Sequence, residues 1–460
     1  MRVFNKIVET VTRHRTQAGS WKNLLLHSSL TLTLTSSLSY LLGLIRDKTF
    51  AYKFGASSFL DIYNAAFVVP DFLFAVLVSG ALSAAFVPIF TNLDEKSRAK
   101  AFTYTNQVLS FVFVFLSIAS LIFAIILPSV VQYLVPGFTP EQQDQYIVAT
   151  RLLLISPFFF ALSNTFGNAL LSTKDFLWYG LAPVFYNIGI VFGVWFLTDS
   201  YGVMGLIVGT VLGSFLHMIV RGQAVWRYGF RPQLLLQFSS EVKQTAILML
   251  PKMLQIGMWQ LMLWWFISLA SQTGEGGVTI YNFAYNFQSV PVSLIGIAIA
   301  LASFSQLSHL AAHKDFTAFK LLVRKESFRI VGITSLAAVA LALISEPLVT
   351  ILLGGGQFTK ESVLATALLI KVYAISVPLE SLIHLLTRAH YALLNTFRPS
   401  IIHILAIVST MGASYFLLPQ VGLYALPIGF SLGFALQGIL LSLSLWQMFK
   451  RKSSDLLKLV

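Results

Sequence analysis

Residues 60–90, LDIYNAAFVVPDFLFAVLVSGALSAAFVPIF, decide how the rest of the chain is read. The stretch is apolar apart from Asp61, Asp71 and a few uncharged polar residues, and it is punctuated by Pro70, Gly80 and Pro88. As one helix rising ~1.5 Å per residue it would reach roughly 45 Å, well beyond the ~30 Å hydrocarbon core of a bilayer. It must therefore tilt, bend or protrude. Pro70 removes a backbone donor and Gly80 lowers helix propensity, which makes both hinge candidates where carbonyls open to a cavity. An aspartate in mid-segment is costly in lipid, so Asp71 is expected to face the protein interior or water. Two alternatives stand: a helix that lines a path, and a kinked structural helix with a buried, satisfied aspartate.

Working outward, the composition agrees with a membrane reading. The 460 residues are 56% hydrophobic and 11% charged, with a mean hydropathy of +0.77, far from the soluble globular average. The chain reads as an all-α polytopic membrane protein. The absence of cysteine excludes disulfides, thiolate metal sites, iron–sulfur clusters and thiol catalysis.

Residues 1–23 carry Arg2, Lys6, Arg13, Arg15 and Lys22, with Phe4, Ile7, Val8 and Val11 at helical spacing. They suggest a basic amphipathic helix on an anionic membrane surface. The apolar run 24–45 that follows is of spanning length and has no small-residue cleavage site after it, so it reads as a first span rather than a signal peptide. Hydropathy and breakers place further spans near 60–91, 102–134, 146–172, 176–198 and 202–226. A second set falls near 242–271, 277–311, 326–353, 361–392, 397–418 and 421–449. The expectation is about twelve transmembrane helices.

The formal charge of +13 could suggest nucleic acid, but topology accounts for it. With a cytoplasmic N-terminus most Lys and Arg fall on cytoplasmic segments. The outward loops hold Arg46, Lys48, Lys53 and Lys360, while Arg151, Lys252 and Lys371 lie within spans. The positive-inside rule then places both termini in the cytoplasm, with no nucleic-acid partner.

The chain also repeats itself. A shift of 220 aligns 201–219 with 421–439, matching Gly202 with Gly422, Leu206 with Leu426, Gly209 with Gly429, Leu212 with Leu432 and Gly213 with Gly433. An even number of spans per repeat inserts both halves the same way up, related by a pseudo-two-fold along the membrane normal. The expected domains are a six-helix lobe at 24–226, a cytoplasmic linker at 227–241, a second six-helix lobe at 242–449 and a cytoplasmic tail at 450–460. Two such lobes around a central cavity form a transporter working by alternating access.

Gly43-Leu44-Ile45-Arg46-Asp47, Phe54-Gly55-Ala56-Ser57, Asp61, Ala66-Phe67, Pro70 and Gly80-Ala81-Leu82-Ser83-Ala84-Ala85-Phe86-Val87-Pro88 form an ordered, dense set. It continues through Ala182-Pro183 with Asn187, Pro251-Lys252 with Gln260, Gln288-Ser289-Val290-Pro291 with Gly296, Gly355 with Gln357-Phe358-Thr359, and Thr396 with Pro399. Together these resemble the MurJ (MviN) family, the lipid II flippases of the MOP exporter superfamily, over residues 22–450. Typical members have fourteen spans; here the two lobes are expected without the last pair. The resemblance implies a lipid-linked oligosaccharide substrate, an undecaprenyl diphosphate bearing the peptidoglycan precursor, with membrane lipids and cell-wall synthesis proteins as further partners. It implies no cofactor and no metal.

Carried over residue by residue, the resemblance retains Arg46-Asp47 and Asp61. The family's arginine earlier on helix one falls on Tyr40, the helix-two arginine pair on Phe74 and Ala75, and the glutamate before the glycine on Ser79. The arginine and glutamate of helix eight fall on Asn286 and Ser289. A diphosphate site rebuilt in this chain would draw first on Arg46 and Lys252, since arginine and lysine suit phosphate. Asp61, Asp71, Asn286, Gln288, Ser289 and Arg151 complete the candidate cavity set. For the cations the alternative is an interfacial anchor snorkelling to headgroups, and Asp61 is alternatively a partner of Arg46 or Lys53. Glu380 is a candidate proton or cation site, or a helix–helix hydrogen bond; Lys371 is named with it, but the two lie more than about two turns apart and do not pair directly. Pro291 and Gly296 join Pro70 and Gly80 as hinges. His309 and His313 lack the glutamate of a zincin motif, Gly354-Gly355-Gly356 reads as an outward turn, and Trp259, Trp264, Trp265 and Phe266 read as lipid-facing or packing surface. No nucleophile–base–orienter set marks an enzyme. The competing classes are another MOP-type exporter, of drugs or other lipid-linked glycans, and a non-transporting scaffold of the cell-wall machinery.

Overall fold

The computed structural model describes residues 21–79, 86–173 and 175–457. Most of the expected N-terminal amphipathic segment, hinge candidate Gly80 and the end of the tail lie outside them. Among the described residues the regular structure is helical, with one lone bridge between Gly355 and Phe358. In chain order the helices are α1 (Trp21–Phe54), α2 (Ser58–Ala66), α3 (Val68–Leu73), α4 (Val87–Lys96), α5 (Arg98–Leu134) and α6 (Pro140–Leu153). Then come α7 (Ser156–Ser172), α8 (Phe176–Phe192), α9 (Thr198–Tyr201), α10 (Val203–Trp226), α11 (Ser240–Ser271) and α12 (Gly277–Pro291). The last are α13 (Ala298–Ala312), α14 (Phe316–Leu352), α15 (Lys360–Tyr373), α16 (Ser376–Ala392), α17 (Phe397–Val421) and α18 (Ala425–Leu457). Short π-helical stretches, Phe74–Ser79, Gly193–Leu197 and Val292–Ile297, follow α3, α8 and α12.

The deciding stretch is broken, as its length demands. Helix α2 ends at Ala66 and α3 starts at Val68, the place where the ring of Pro70 crowds the carbonyl four residues before it and offers it no N–H. Among the described residues nine helices are long and apolar enough to cross a membrane, or ten if the bent pair α15 and α16 is one span. The expectation of about twelve differs from this in two places. Helix α1 is not among the nine, and 397–450 is taken there as one run, although α17 and α18 turn back on each other at Gly422 (φ +57°, ψ −137°).

The 220-residue repeat is visible in local geometry. Helices α6 and α7, of 14 and 17 residues, correspond to α15 and α16, again of 14 and 17. Both first members are N-capped by a threonine after a phenylalanine. The Thr139 hydroxyl accepts from the Gln142 N–H at 3.3 Å, and that of Thr359 accepts from the Ser362 N–H at 3.3 Å, satisfying donors a helix start leaves open. Gly202 (φ +54°, ψ −139°) matches Gly422 in turn geometry. Arg151 and Lys371 occupy equivalent positions in the last turns of α6 and α15.

The chain falls into two compact units. Unit 1 takes the described parts of Met1–Arg46, Ala85–Val114 and Ile155–Thr245. Its centre is α10 against α8, where Gly193 meets Gly209 and Gly189 meets Gly213 so closely that a Cβ at Gly193 would lie 2.7 Å from the Gly209 Cα. Such backbone contact drives helix association in lipid through dispersion rather than hydrophobic burial. Phe166, Leu170, Ala224, Val225 and Phe230 form a core cluster nearby. Residues 231–239 have no regular structure and run along α5 as a strap. Asn106 Nδ2 donates to the Arg231 carbonyl at 3.0 Å, the Gln233 N–H donates to Asn106 Oδ1 at 3.1 Å, and the Leu235 N–H donates to Ser110 Oγ at 2.8 Å.

Unit 2 takes the described parts of Asp47–Ala84, Phe115–Leu154 and Ala246–Val460. It is built around Phe430, buried among Trp259, Phe266, Tyr285, Tyr373 and Phe434. Trp259 and Phe266 are thus packing residues, and Trp265 Nε1 donates to the Met411 carbonyl at 3.0 Å.

Candidate functional site

At one end of unit 2 two helix starts cap each other. Helix α2 begins after Gly55 (φ +66°), and α12 begins after Gly274 (φ +103°) and Gly276 (φ +81°). Asp61, 2% exposed, accepts from the Gly276 N–H at 2.7 Å through Oδ2. Its Oδ1 accepts from the Thr279 N–H at 2.8 Å and from the Thr279 hydroxyl at 2.7 Å. In return Glu275 Oε1 accepts from the Ser58 N–H, the first of α2, at 3.1 Å. Each carboxylate meets the open donors and positive end of the other helix, which offsets the cost of burying Asp61. Gly276 fits because its φ is positive and because a Cβ would come within 2.7 Å of the Ala56 carbonyl oxygen.

The glycine turn between α14 and α15 joins the same end. The Gln357 N–H donates to the Tyr52 carbonyl at 2.9 Å, and Lys48 Nζ donates to the carbonyls of Gly354 and, at 3.4 Å, Ile351. Lys48, expected as an outward-loop cation, is therefore a clasp on this turn.

Deeper in unit 2, Gln288 and Glu380 meet. Gln288 is fully buried and Glu380 is 9% exposed; Gln288 Nε2 donates to Glu380 Oε2 at 2.9 Å and to Ser376 Oγ at 3.1 Å. This side-chain contact joins α12 to α16. Lys371, by contrast, is exposed on α15.

The remaining candidates are dispersed. Asp61, a cavity candidate with Arg46 or Lys53 as alternative partners, accepts from the amides and hydroxyl above. In unit 1, Arg46 Nη1 donates to Asn187 Oδ1 at 3.2 Å, and Asn187 Nδ2 donates to the Pro183 carbonyl at 3.0 Å. Arg151 donates through Nε and Nη2 to the Ala124 carbonyl at 3.0 and 2.8 Å, so it clamps α6 to α5. Asp71 and Asn286 are exposed on unit 2, and Ser289 Oγ turns back to the Asn286 carbonyl at 2.8 Å. Lys252 is exposed on α11. Pro291 closes α12 where the π-helical stretch begins, and Gly296 within that stretch lies against Ser381, which a Cβ would strike.

Some polar residues of consequence escaped the sequence reading. Gly276, Thr279 and Glu275 could have been signalled by the Gly274-Glu275-Gly276-Gly277 turn ahead of a helix. Arg221 falls at the end of the span expected at 202–226, with no role read for it. It is buried in unit 1, donating to the carbonyls of Tyr179 at 3.1 Å and Ser163 at 3.2 Å and to Asn164 Oδ1 at 3.2 Å, with its guanidinium over the Tyr179 ring. Nothing in the spacing around it marks that role.

Residues 50–460 match the family model described as lipid II flippase MurJ. The chain is 26% identical over 435 residues to a lipid II flippase MurJ of Burkholderia cenocepacia, covering 92% of this chain and 84% of the relative. It is 23% identical over 419 residues to a probable lipid II flippase MurJ of Borreliella burgdorferi, covering 88% and 80%. Among solved structures it is similar to a lipid II flippase MurJ in an inward closed conformation, with a TM-score of 0.77, 21% identity and coverage of 90% and 87%. It is also similar in fold to an inward-facing multidrug resistance MATE transporter of the MOP superfamily, with a TM-score of 0.72, 15% identity and coverage of 93% and 98%.

Proposed function

The chain belongs to the MurJ family of lipid II flippases, and from that premise we propose that it carries an undecaprenyl-diphosphate-linked peptidoglycan precursor across the bacterial cytoplasmic membrane by alternating access. It is a multi-pass membrane transporter and not an enzyme. The observation that carries the reading is the family match over residues 50–460, which takes in the nine helices long and apolar enough to cross a membrane among the described residues. The physics supports it: a diphosphate cannot pass ~30 Å of hydrocarbon unaided, whereas its polyprenyl tail is at home in lipid.

In this reading two lobes, 24–226 and 242–449, rock about the linker 227–241 with both termini in the cytoplasm. The mutual capping of α2 and α12 is a contact made and broken during the cycle. Pro70, Gly80, Pro291 and Gly296 are the hinges, Asp71, Asn286 and Ser289 line the polar path, Arg46 contributes a cation, and Glu380 couples the cycle to a cation or proton. Cell-wall synthesis proteins are the partners that supply and consume the lipid.

The experiment is complementation. The resident lipid II flippase of a bacterium is depleted and this chain is expressed, as wild type and as Asp61→Asn, at matched membrane levels. Rescue by the wild type and its loss in the variant are expected. A well-inserted wild type that fails to rescue removes the reading.

A further inference from the structure

Away from the capped helix starts, unit 2 gathers four basic side chains on three helices. Lys252, Gln255 and Trp259 form one stripe of α11; His384, Arg388 and Tyr391 form one of α16; Ser400 and His403 share a face of α17. Arg388 and His403 lie within electrostatic reach of His384, and Lys252 within reach of His403. The stripes are held together by neutral contacts. Gln255 Nε2 donates to Ser400 Oγ at 2.9 Å, and the Trp259 ring stacks on the His403 imidazole with centroids 6.4 Å apart. Lys252 lies roughly 28 Å along α11 from the end next to Asp61's partners, taking ~1.5 Å per residue.

What distinguishes the group is a surplus of donors. Gln437 Nε2 and His403 Nδ1 lie 3.3 Å apart. The other nitrogen of that ring has no partner among the described residues, and neither do the His384 ring and the Lys252 ammonium. Arg388 spends one Nη1 donor on the His384 carbonyl at 3.0 Å and leaves the rest of its fork unused. No carboxylate pairs with any of the four among the described residues; Glu380, one turn before His384, is turned to Gln288. His384, Arg388 and His403 are half-buried. A lysine, an arginine and two imidazoles with donors left unused, three of them half-buried, suit an acceptor-only ligand of opposite charge.

We propose that Lys252, His384, Arg388 and His403 form an anion site in unit 2 that takes the diphosphate of an isoprenoid lipid. Phosphoryl oxygens accept from arginine, lysine and imidazole and donate nothing, and two phosphoryl groups match a set of donors spread over three helices. The inference rests on the flippase reading for its ligand. It locates the grip of the diphosphate among α11, α16 and α17.

The test uses the full chain in detergent, with undecaprenyl diphosphate and phosphatidylglycerol as competing probes, bound lipid being read by native mass spectrometry. Wild type is expected to retain undecaprenyl diphosphate over phosphatidylglycerol. Lys252→Gln and Arg388→Gln should each weaken its retention about tenfold or more, as loss of a charge-assisted bond does, with Arg388→Lys intermediate. Arg329→Gln, which removes an exposed arginine paired with the buried Glu326, should leave retention unchanged. If Arg388→Gln fails to fold, Lys252→Gln at its exposed position carries the test. Retention in folded variants equal to wild type overturns the site, and so does equal displacement by phosphatidylglycerol. Lipid II translocation by wild-type proteoliposomes is measured in parallel: its absence tells against the flippase reading, whereas translocation with unchanged retention in the variants tells against this site alone.

Discussion

A carboxylate that accepts three hydrogen bonds leaves little room for substitution. In Asp61→Asn one oxygen becomes an NH₂ facing a backbone N–H, and the charge opposite the start of α12 is lost. A loss of about 3 kcal/mol in stability is expected. Thr279→Val removes one of the three donors and keeps the backbone one, for about 1 kcal/mol. Thermal melting of the purified protein orders the two, and equal effects would mean that the hydroxyl carries the contact. At Glu380 the logic reverses. Gln288→Leu strands a buried carboxylate and is expected to cost about 3 kcal/mol, while Gln288→Leu combined with Glu380→Leu costs much less, because no group is left unsatisfied. A double variant no more stable than the single one would contradict this. Asp61 and Glu380 were legible as buried charges because charge in an apolar run is conspicuous. Their partners were not: two of Asp61's are backbone amides, which no residue type announces, in a segment 215 and 218 positions away.

Elements follow hydropathy closely and turns less so. The repeat at 220 residues was legible in glycines, and the structure adds what letters do not show, equal helix lengths and equal caps after Phe138 and Phe358. The spans read at 24–45 and on either side of Gly422 coincide with helices α1, α17 and α18, although a count by helix length and mean hydropathy joins the last two and leaves out α1. Gly202 and Gly422 hold the same unusual conformation, and no atom lies near enough to obstruct an added Cβ at either. Gly202→Ala and Gly422→Ala should therefore cost the same backbone strain, about 1–3 kcal/mol each, read as matching drops in melting temperature. A clear inequality would show that the two turns carry different loads. By contrast, Gly209→Leu would drive a side chain into the α8 backbone and is expected to abolish folded protein in size-exclusion profiles.

For the whole molecule the absence of cysteine is an experimental opening. Ser58→Cys with Glu275→Cys, bridged by a short bismaleimide, would fasten the starts of α2 and α12 together. If that contact opens in each cycle, bridged protein in proteoliposomes should translocate less than a tenth of the lipid II moved by the unbridged double variant. Undiminished transport would make the contact a permanent strut. Fold class and family were legible at this scale because composition and an ordered motif set extend along most of the chain. The basic cluster of α11, α16 and α17 was not, because Lys252 lies more than a hundred residues before the pair His384 and Arg388 and each cation alone looks like an anchor.

The capping of α12 by Asp61 has a bearing on how this contact is inherited. Two of its three donors belong to the main chain, so a change of side chain at the receiving end has no complementary change at position 61 to select for. Paired substitutions, the usual trace of neighbouring residues in related sequences, should be missing between 61 and 276 even though the two are in direct contact. The record expected in related sequences is one-sided: an acid kept on α2, and on the other side a glycine kept for its backbone shape.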